Sequence, residues 1–206
     1  MNMRSPYQLL KREDGAAAVE LAIVALFFFV IFFAILDFGR LWYTYNVAEK
    51  ATQVGARYAV VALPVYPTLQ DFDAIDAGVA VGNGERLGPL ALGEVTCTST
   101  TCTCTETAGG NCAALPNEST DDTAFEDIVF RMQMMMPQIQ PENVTITYRH
   151  VGLGFAGNPF GPDYSPTVTV RLTGMTFDFV TPTLLGLGSV NLPAYATTLT
   201  GEDYGS

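Results

Sequence analysis

The stretch Ala16–Leu36 reads AAAVELAIVALFFFVIFFAIL, 21 residues with one ionisable side chain, Glu20. At a rise of ~1.5 Å per residue, a helix of this length crosses the ~30 Å hydrocarbon core of a bilayer. A secretory signal peptide would have a shorter apolar region and a small-residue cleavage site at its far end. Asp37-Phe38-Gly39-Arg40 follows instead. Phe27, Phe28 and Phe29, with Phe32 and Phe33 close behind, also argue against the buried helix of a soluble core. The run predicts a single transmembrane helix.

The flanks and the overall composition give this helix its setting. The chain has 206 residues, a formal charge of -11 at pH 7 and a sequence pI near 4.3, yet 49% of residues are apolar. So acidic a chain offers no basic surface to neutralise phosphates, which excludes a nucleic-acid binder. Only 15% of residues are charged, which argues equally against an acidic disordered chain. Arg4, Lys11 and Arg12 precede the run, and the long remainder carries seven basic residues among 18 acidic ones. Basic residues beside a span favour the cytoplasmic side, so the N-terminus is expected there and the C-terminal part outside. Removing residues 1–15 takes away three basic and two acidic groups and shifts the charge to -12. Past Val60 the chain holds 16 acidic and four basic residues. The acidity therefore belongs to the outer part.

Glu20 is the unexpected charge. A carboxylate inside a span costs a few kcal/mol on insertion scales and normally has a partner or a function. Its surroundings, Lys11-Arg12-Glu13-Asp14-Gly15-Ala16-Ala17-Ala18-Val19-Glu20, resemble a prepilin-type leader and cleavage site. The resemblance implies that a membrane peptidase cuts between Gly15 and Ala16, which makes Glu20 the fifth residue of the mature chain. The new α-amine of one subunit would then pair with the Glu20 carboxylate of a neighbour, in a low dielectric that strengthens the pairing. Ala16, Ala17 and Ala18 would let helices approach closely.

Three separated pieces extend the likeness: Gly15 to Glu20, the membrane-exit step Asp37-Phe38-Gly39-Arg40, and the stem piece Gly55-Ala56-Arg57-Tyr58-Ala59. Together they make residues 15–61 resemble the N-terminal domain of the TadE-like family, pseudopilins of the tight-adherence (Flp-type) pilus system. That resemblance implies a non-enzymatic structural or assembly subunit in a bacterial inner membrane. Its implied partners are the prepilin peptidase, the pilin and other pseudopilins, the inner-membrane assembly complex and the lipid bilayer. Leu192 to Thr197 matches the family only loosely.

Beyond Arg40 the helical pattern runs without a breaker to Pro64, predicting one helix over 16–62. Asn46, Lys50, Gln53 and Arg57 form a polar stripe, while Leu41, Tyr45, Ala48, Gly55 and Ala59 fall on another face. The outer half is expected to pack its small-residue face on the globular part, as a pilin-like stem does. Arg57 has the character of a structural ion-pair partner. Between Pro64 and Asp122, Pro, Gly and polar residues dominate, and the Thr/Cys/Gly-rich stretch 96–112 reads as a loop. Asp122-Thr123 offers an N-cap for an amphipathic helix carrying Phe125, Ile128, Val129, Met132 and Met136, stopped by Pro137. Alternation then marks strands at Asn143–Arg149 and Thr167–Leu172, around Met175, Phe177 and Phe179, and at Tyr195–Thr200. The expected class is α+β: a leader at 1–15, a membrane and stem helix, and an extracytoplasmic domain over 63–206 with three or four antiparallel strands.

Cys97, Cys102, Cys104 and Cys112 lie in C-x4-C-x-C-x7-C spacing. In an oxidising compartment two disulfides stapling this stretch are the first reading, with the connectivity open apart from an unfavoured Cys102–Cys104 pair. Four thiolates on zinc are the sharper alternative, but the usual C-x2-C pairs are missing. Gly152-Leu-Gly154-Phe-Ala-Gly157 matches a dinucleotide fingerprint. It runs into Asn158-Pro159-Phe160-Gly161-Pro162, however, where no helix can start, so it reads as a hairpin loop. His150, the sole histidine, has no nucleophile motif to serve, and Asn117-Glu-Ser119 and Asn143-Val-Thr145 are chance sequons. No catalytic residue, metal or cofactor is expected. The competing functional class is a permanently anchored extracytoplasmic binding or adhesion module with the acidic, Cys-stapled region as its surface. An anchored thiol or metal enzyme has no residue constellation behind it.

Overall fold

A computed structural model describes residues 14–89, 91–106, 110–159, 161–180 and 188–201. The chain divides into two compact units, one of residues 1–43 with 177–190, the other of residues 44–176 with 191–206. The fold is α+β.

Helix α1 spans Asp14–Ala59, 46 residues without interruption. Its first half is rich in Leu, Ile, Phe and Ala and holds no proline, so beyond the first turn its backbone donors and acceptors are paired along the helix. Residues 15–36 are exposed nearly throughout, as a lipid-facing surface would be. Phe28 stacks on Phe32 and Phe29 on Phe33, one turn apart. The helix is already formed at Asp14, the first described residue, and ends three residues before the expected position. Val60 and Ala62 still donate to Ala56 and Tyr58, and Pro64 then biases its predecessor away from helix.

The second unit holds a six-stranded antiparallel sheet. Its strands are β1 (Glu94–Cys97), β2 (Thr101–Thr105), β3 (Glu118–Ser119), β4 (Val144–Arg149), β5 (Thr167–Leu172) and β8 (Tyr195–Thr200), in the order β3-β2-β1-β4-β5-β8. The sheet alternates strictly. Val95, Ile146, Tyr148, Val168, Val170 and Leu172 are buried on one face. On the other, the registers set Thr103, Thr96, Thr147, Thr169 and Thr198 side by side across five strands. Thr169 and Thr198 join through their hydroxyls at 2.7 Å.

Helix α2 (Asp122–Gln133) and the stem half of α1 contribute to the same core as the buried sheet face. Asp121, one residue ahead of the expected cap, accepts from the Ala124 amide and starts α2. Phe125, Ile128, Val129 and Met132 are buried, as is Met136, whereas Met134 and Met135 face solvent. From α1, Ala48, Ala51, Thr52, Gly55, Ala56 and Ala59 are buried. Thr52 meets Thr197 through their hydroxyls at 3.0 Å, and Tyr45 packs edge-on against Tyr195.

Two expectations need correction. The Cys-rich stretch is not a loop throughout, because Glu94–Cys97 and Thr101–Thr105 pair as a hairpin. Period-two Thr/Cys alternation buries Cys97 and Cys102 just as it would buried aliphatics. The set Met175, Phe177 and Phe179 does not extend the sheet. Its strand, β6 (Thr176–Asp178), pairs with β7 (Ser189–Asn191) in a separate two-stranded ribbon. The glycine-rich segment connects β4 to β5, with positive φ at Gly152, Gly154 and Gly157, and opens no helix.

Candidate functional site

The residues singled out by sequence fall at separate stations along α1. At its start, Gly15 and Ala16 are exposed, and nothing lies within 4 Å of the place a Gly15 side chain would occupy. The leader, residues 1–13, lies outside the described residues. Glu20 is exposed on the helix surface one turn beyond Ala16.

At residue 37 the environment changes. Asp37 is only 3% exposed, although Leu36 and Phe38 on either side are open. Its two carboxylate oxygens accept from the Val180 amide at 3.1 and 3.0 Å, and Oδ1 also accepts from Arg40 Nη1 at 3.0 Å. The Arg40 guanidinium lies over the Phe177 ring at 5.3 Å, and Phe177 stacks edge-on with Phe179 at 5.1 Å. A buried carboxylate is tolerable because a cation and a main-chain donor share its charge. Gly39 has open space around it and takes no part in these contacts.

On the stem, a Cβ at Gly55 would come within 2.7 Å of Met132 Cγ and 2.8 Å of Met132 Sδ. This glycine sets how closely α1 approaches α2. Tyr58 leans towards Asp127, its hydroxyl 3.4 Å from Oδ2, and the Arg131 guanidinium covers its ring at 5.1 Å. Arg57 is exposed and closes no ion pair among the described residues.

The cysteines pair as Cys97–Cys102 and Cys104–Cys112. Cys97 and Cys102 stand directly opposite in the β1–β2 register. With all four sulfurs in disulfides, no thiolates are left for zinc. His150 is buried, and burial pushes its pKa down, opposed only in part by the nearby Leu87 and Gly88 backbone. Neither ring nitrogen closes a well-formed hydrogen bond, and the ring packs against Tyr164 at 5.3 Å. Burial likewise raises the Tyr66 phenol to about 12 while its hydroxyl donates to the Pro116 carbonyl at 2.7 Å. Among the described residues no nucleophile is arranged beside this histidine or these tyrosines.

These stations lie on α1, and it is α1 that a family model matches. Residues 15–57 fit the family model of the TadE-like protein. The N-terminal helix is TadE-like. The match covers Gly15 to Glu20, Asp37 to Arg40 and the first three residues of the Gly55–Ala59 piece, leaves out Tyr58 and Ala59, and stops short of the sheet. Neither the curated proteins nor the solved structures contain a match to the chain. The TadE-like family is a pilus structural and assembly family. With the apolar helix, the match supports a membrane-anchored protein associated with the Tad pilus and with components of that system.

The sequence reading missed two partners on this TadE-like helix. The Val180 amide that holds Asp37 is a main-chain group and has no side-chain signature. Met132 opposite Gly55 was legible only as an apolar residue, although a glycine at a helix interior does hint at a close approach.

Proposed function

We propose that this chain is a pseudopilin of the tight-adherence system, made as a precursor and cut by a prepilin peptidase between Gly15 and Ala16. In this reading the N-terminus is cytoplasmic and the sheet domain extracytoplasmic. The observation that carries it is the family match, which begins at Gly15, the residue after which the leader would be removed. An exposed Gly15–Ala16 bond and an exposed Glu20 one turn later fit substrate and product of that cut. Two disulfides fit an oxidising compartment for the outer domain. The mature α-amine at Ala16 and Glu20 would register neighbouring helices, while Tyr58, beside Asp127 and under Arg131, keeps the stem in place. The partners are then the peptidase, the pilin and other pseudopilins, and the inner-membrane assembly complex.

One observation favours a second reading, a permanently anchored binding or adhesion module: the threonine face of the sheet is open. The N-terminal sequence of the protein extracted from membranes separates the two. A chain beginning at Ala16, and a longer one when Gly15 is replaced by Val, is the outcome expected for a pseudopilin. An intact leader in cells that contain the peptidase leaves the anchored module standing.

A further inference from the structure

We infer that the β6–β7 ribbon is a second membrane-contacting element, held at the headgroup level of the bilayer by Asp37. This rests on the membrane-anchored reading of α1 and extends it to a segment 143 residues away.

Depth is the first argument. Asp37 is the first charged residue after the apolar run ending at Leu36, so it sits where hydrocarbon gives way to headgroups. Because both its oxygens accept from the Val180 amide, the chain two residues past β6 is fixed at that same level. Arg40 reinforces the arrangement by bonding Asp37 and covering Phe177, so strand and helix are tied at two points. Arg40 follows Asp37 by three residues, which puts both on one side of the helix.

The chemistry of the surrounding surface is the second argument. Phe38, Trp42 and Tyr43 lie on the other sides of α1, with Trp42 63% exposed. Just past β6, Val180 is 50% exposed beside Phe179. In water this collection of open aromatic and aliphatic side chains would be costly. At the boundary between headgroups and acyl chains it is favoured, because Trp and Tyr place their rings in the apolar edge and their polar atoms in the wet layer. The exposed residues surround the helix rather than forming one stripe. Lipid, which covers every side, fits this distribution better than a single protein partner. The occupant is therefore the outer-leaflet interface, continuous with the lipid around residues 16–36.

The full chain carries its own reporter, since Trp42 is the only tryptophan. All four cysteines are disulfide-bonded, so a fifth introduced as Val180→Cys takes an environment-sensitive fluorophore without reduction. The protein is reconstituted in phosphatidylethanolamine/phosphatidylglycerol vesicles containing lipids with a quencher near the top of the acyl chain. The expected result is flotation with the vesicles, quenching of Trp42, and a blue-shifted, quenched label at residue 180. A label at Thr103→Cys on the open sheet face should be unquenched. Asp37→Ala should bring residue 180 down to that control level while Trp42 stays quenched and both disulfides form. Asp37→Asn, which keeps a carbonyl acceptor for Val180, should retain part of the signal. A vesicle-bound chain with Trp42 quenched but residue 180 unquenched overturns the inference and leaves the anchor intact. So does a residue-180 signal indifferent to Asp37→Ala. A chain that fails to float overturns the membrane reading itself, and the ribbon's role with it.

Discussion

Gly55 shows how one missing methyl group organises the stem. Replacing glycine in a helix interior by alanine ordinarily gains about 1 kcal/mol in propensity. Here the new Cβ would press on Met132, which is fully buried and has no solvent to move into. Overpacking of this kind costs ~1–3 kcal/mol and outweighs the gain. Gly55→Ala should therefore lower stability slightly and Gly55→Val by about 2 kcal/mol or more, read from thermal unfolding of the detergent-solubilised chain. Met132→Ala should relieve most of the Gly55→Val penalty, and additive losses would show that the two side chains do not meet. His150 gives a prediction of a different sort. Its pKa lies below the ordinary ~6.5 in the folded chain, so the unfolded chain binds more protons as the medium acidifies. Its contribution is fully present above the ordinary value and is lost as pH falls below it towards the folded value. The unfolding midpoint should drop between neutral and mildly acidic pH, and drop less in His150→Phe. Equal slopes would mean that other groups carry the dependence.

The elements differ in how plainly they announce themselves. Helix α1 and strands β4, β5 and β8 were legible because their apolar residues recur at the period of the structure they form. Helix α2 was legible for the same reason, and its cap was misplaced by one residue. The β1–β2 hairpin was hidden because its inward residues are Val95, Cys97, Cys102 and Cys104 rather than a run of aliphatics, and composition pointed to a loop. Strand β3, two residues long, has too little sequence to carry a period. Ribbon strand β6 was visible as a strand but not as a ribbon. Alternation in Met175, Phe177 and Phe179 tells which side is apolar, but not what covers it. The same limit applied to the candidate site. Gly15, Ala16 and Glu20 were singled out by their resemblance to a prepilin-type cleavage site, whereas the burial of Asp37 depends on a backbone donor that any residue could have supplied.

For the whole molecule, charge and topology fit one description. The residues past Val60 are strongly acidic, yet the open sheet face carries mainly threonine, with Arg149 near Glu94 at 3.9 Å and Arg171 in an adjacent strand. Neighbouring strands of the sheet are consecutive in the chain except at β1–β4 and at β5–β8. β5 and β8 are neighbours paired from Thr167–Thr200 to Leu172–Tyr195, but residues 173–194 intervene and include the ribbon. Since Leu172 and Tyr195 already stand opposite each other, an Asn-Gly turn would close the hairpin directly. A chain so shortened should still form both disulfides and unfold cooperatively, at a cost of about 2 kcal/mol for the lost burial of Met175. Failure to fold would show that the segment is part of the sheet's foundation. The ribbon is thus an insert spliced into a ready-made hairpin, and inserts of that kind can be lengthened, swapped or lost between homologues without redesigning the scaffold that bears them.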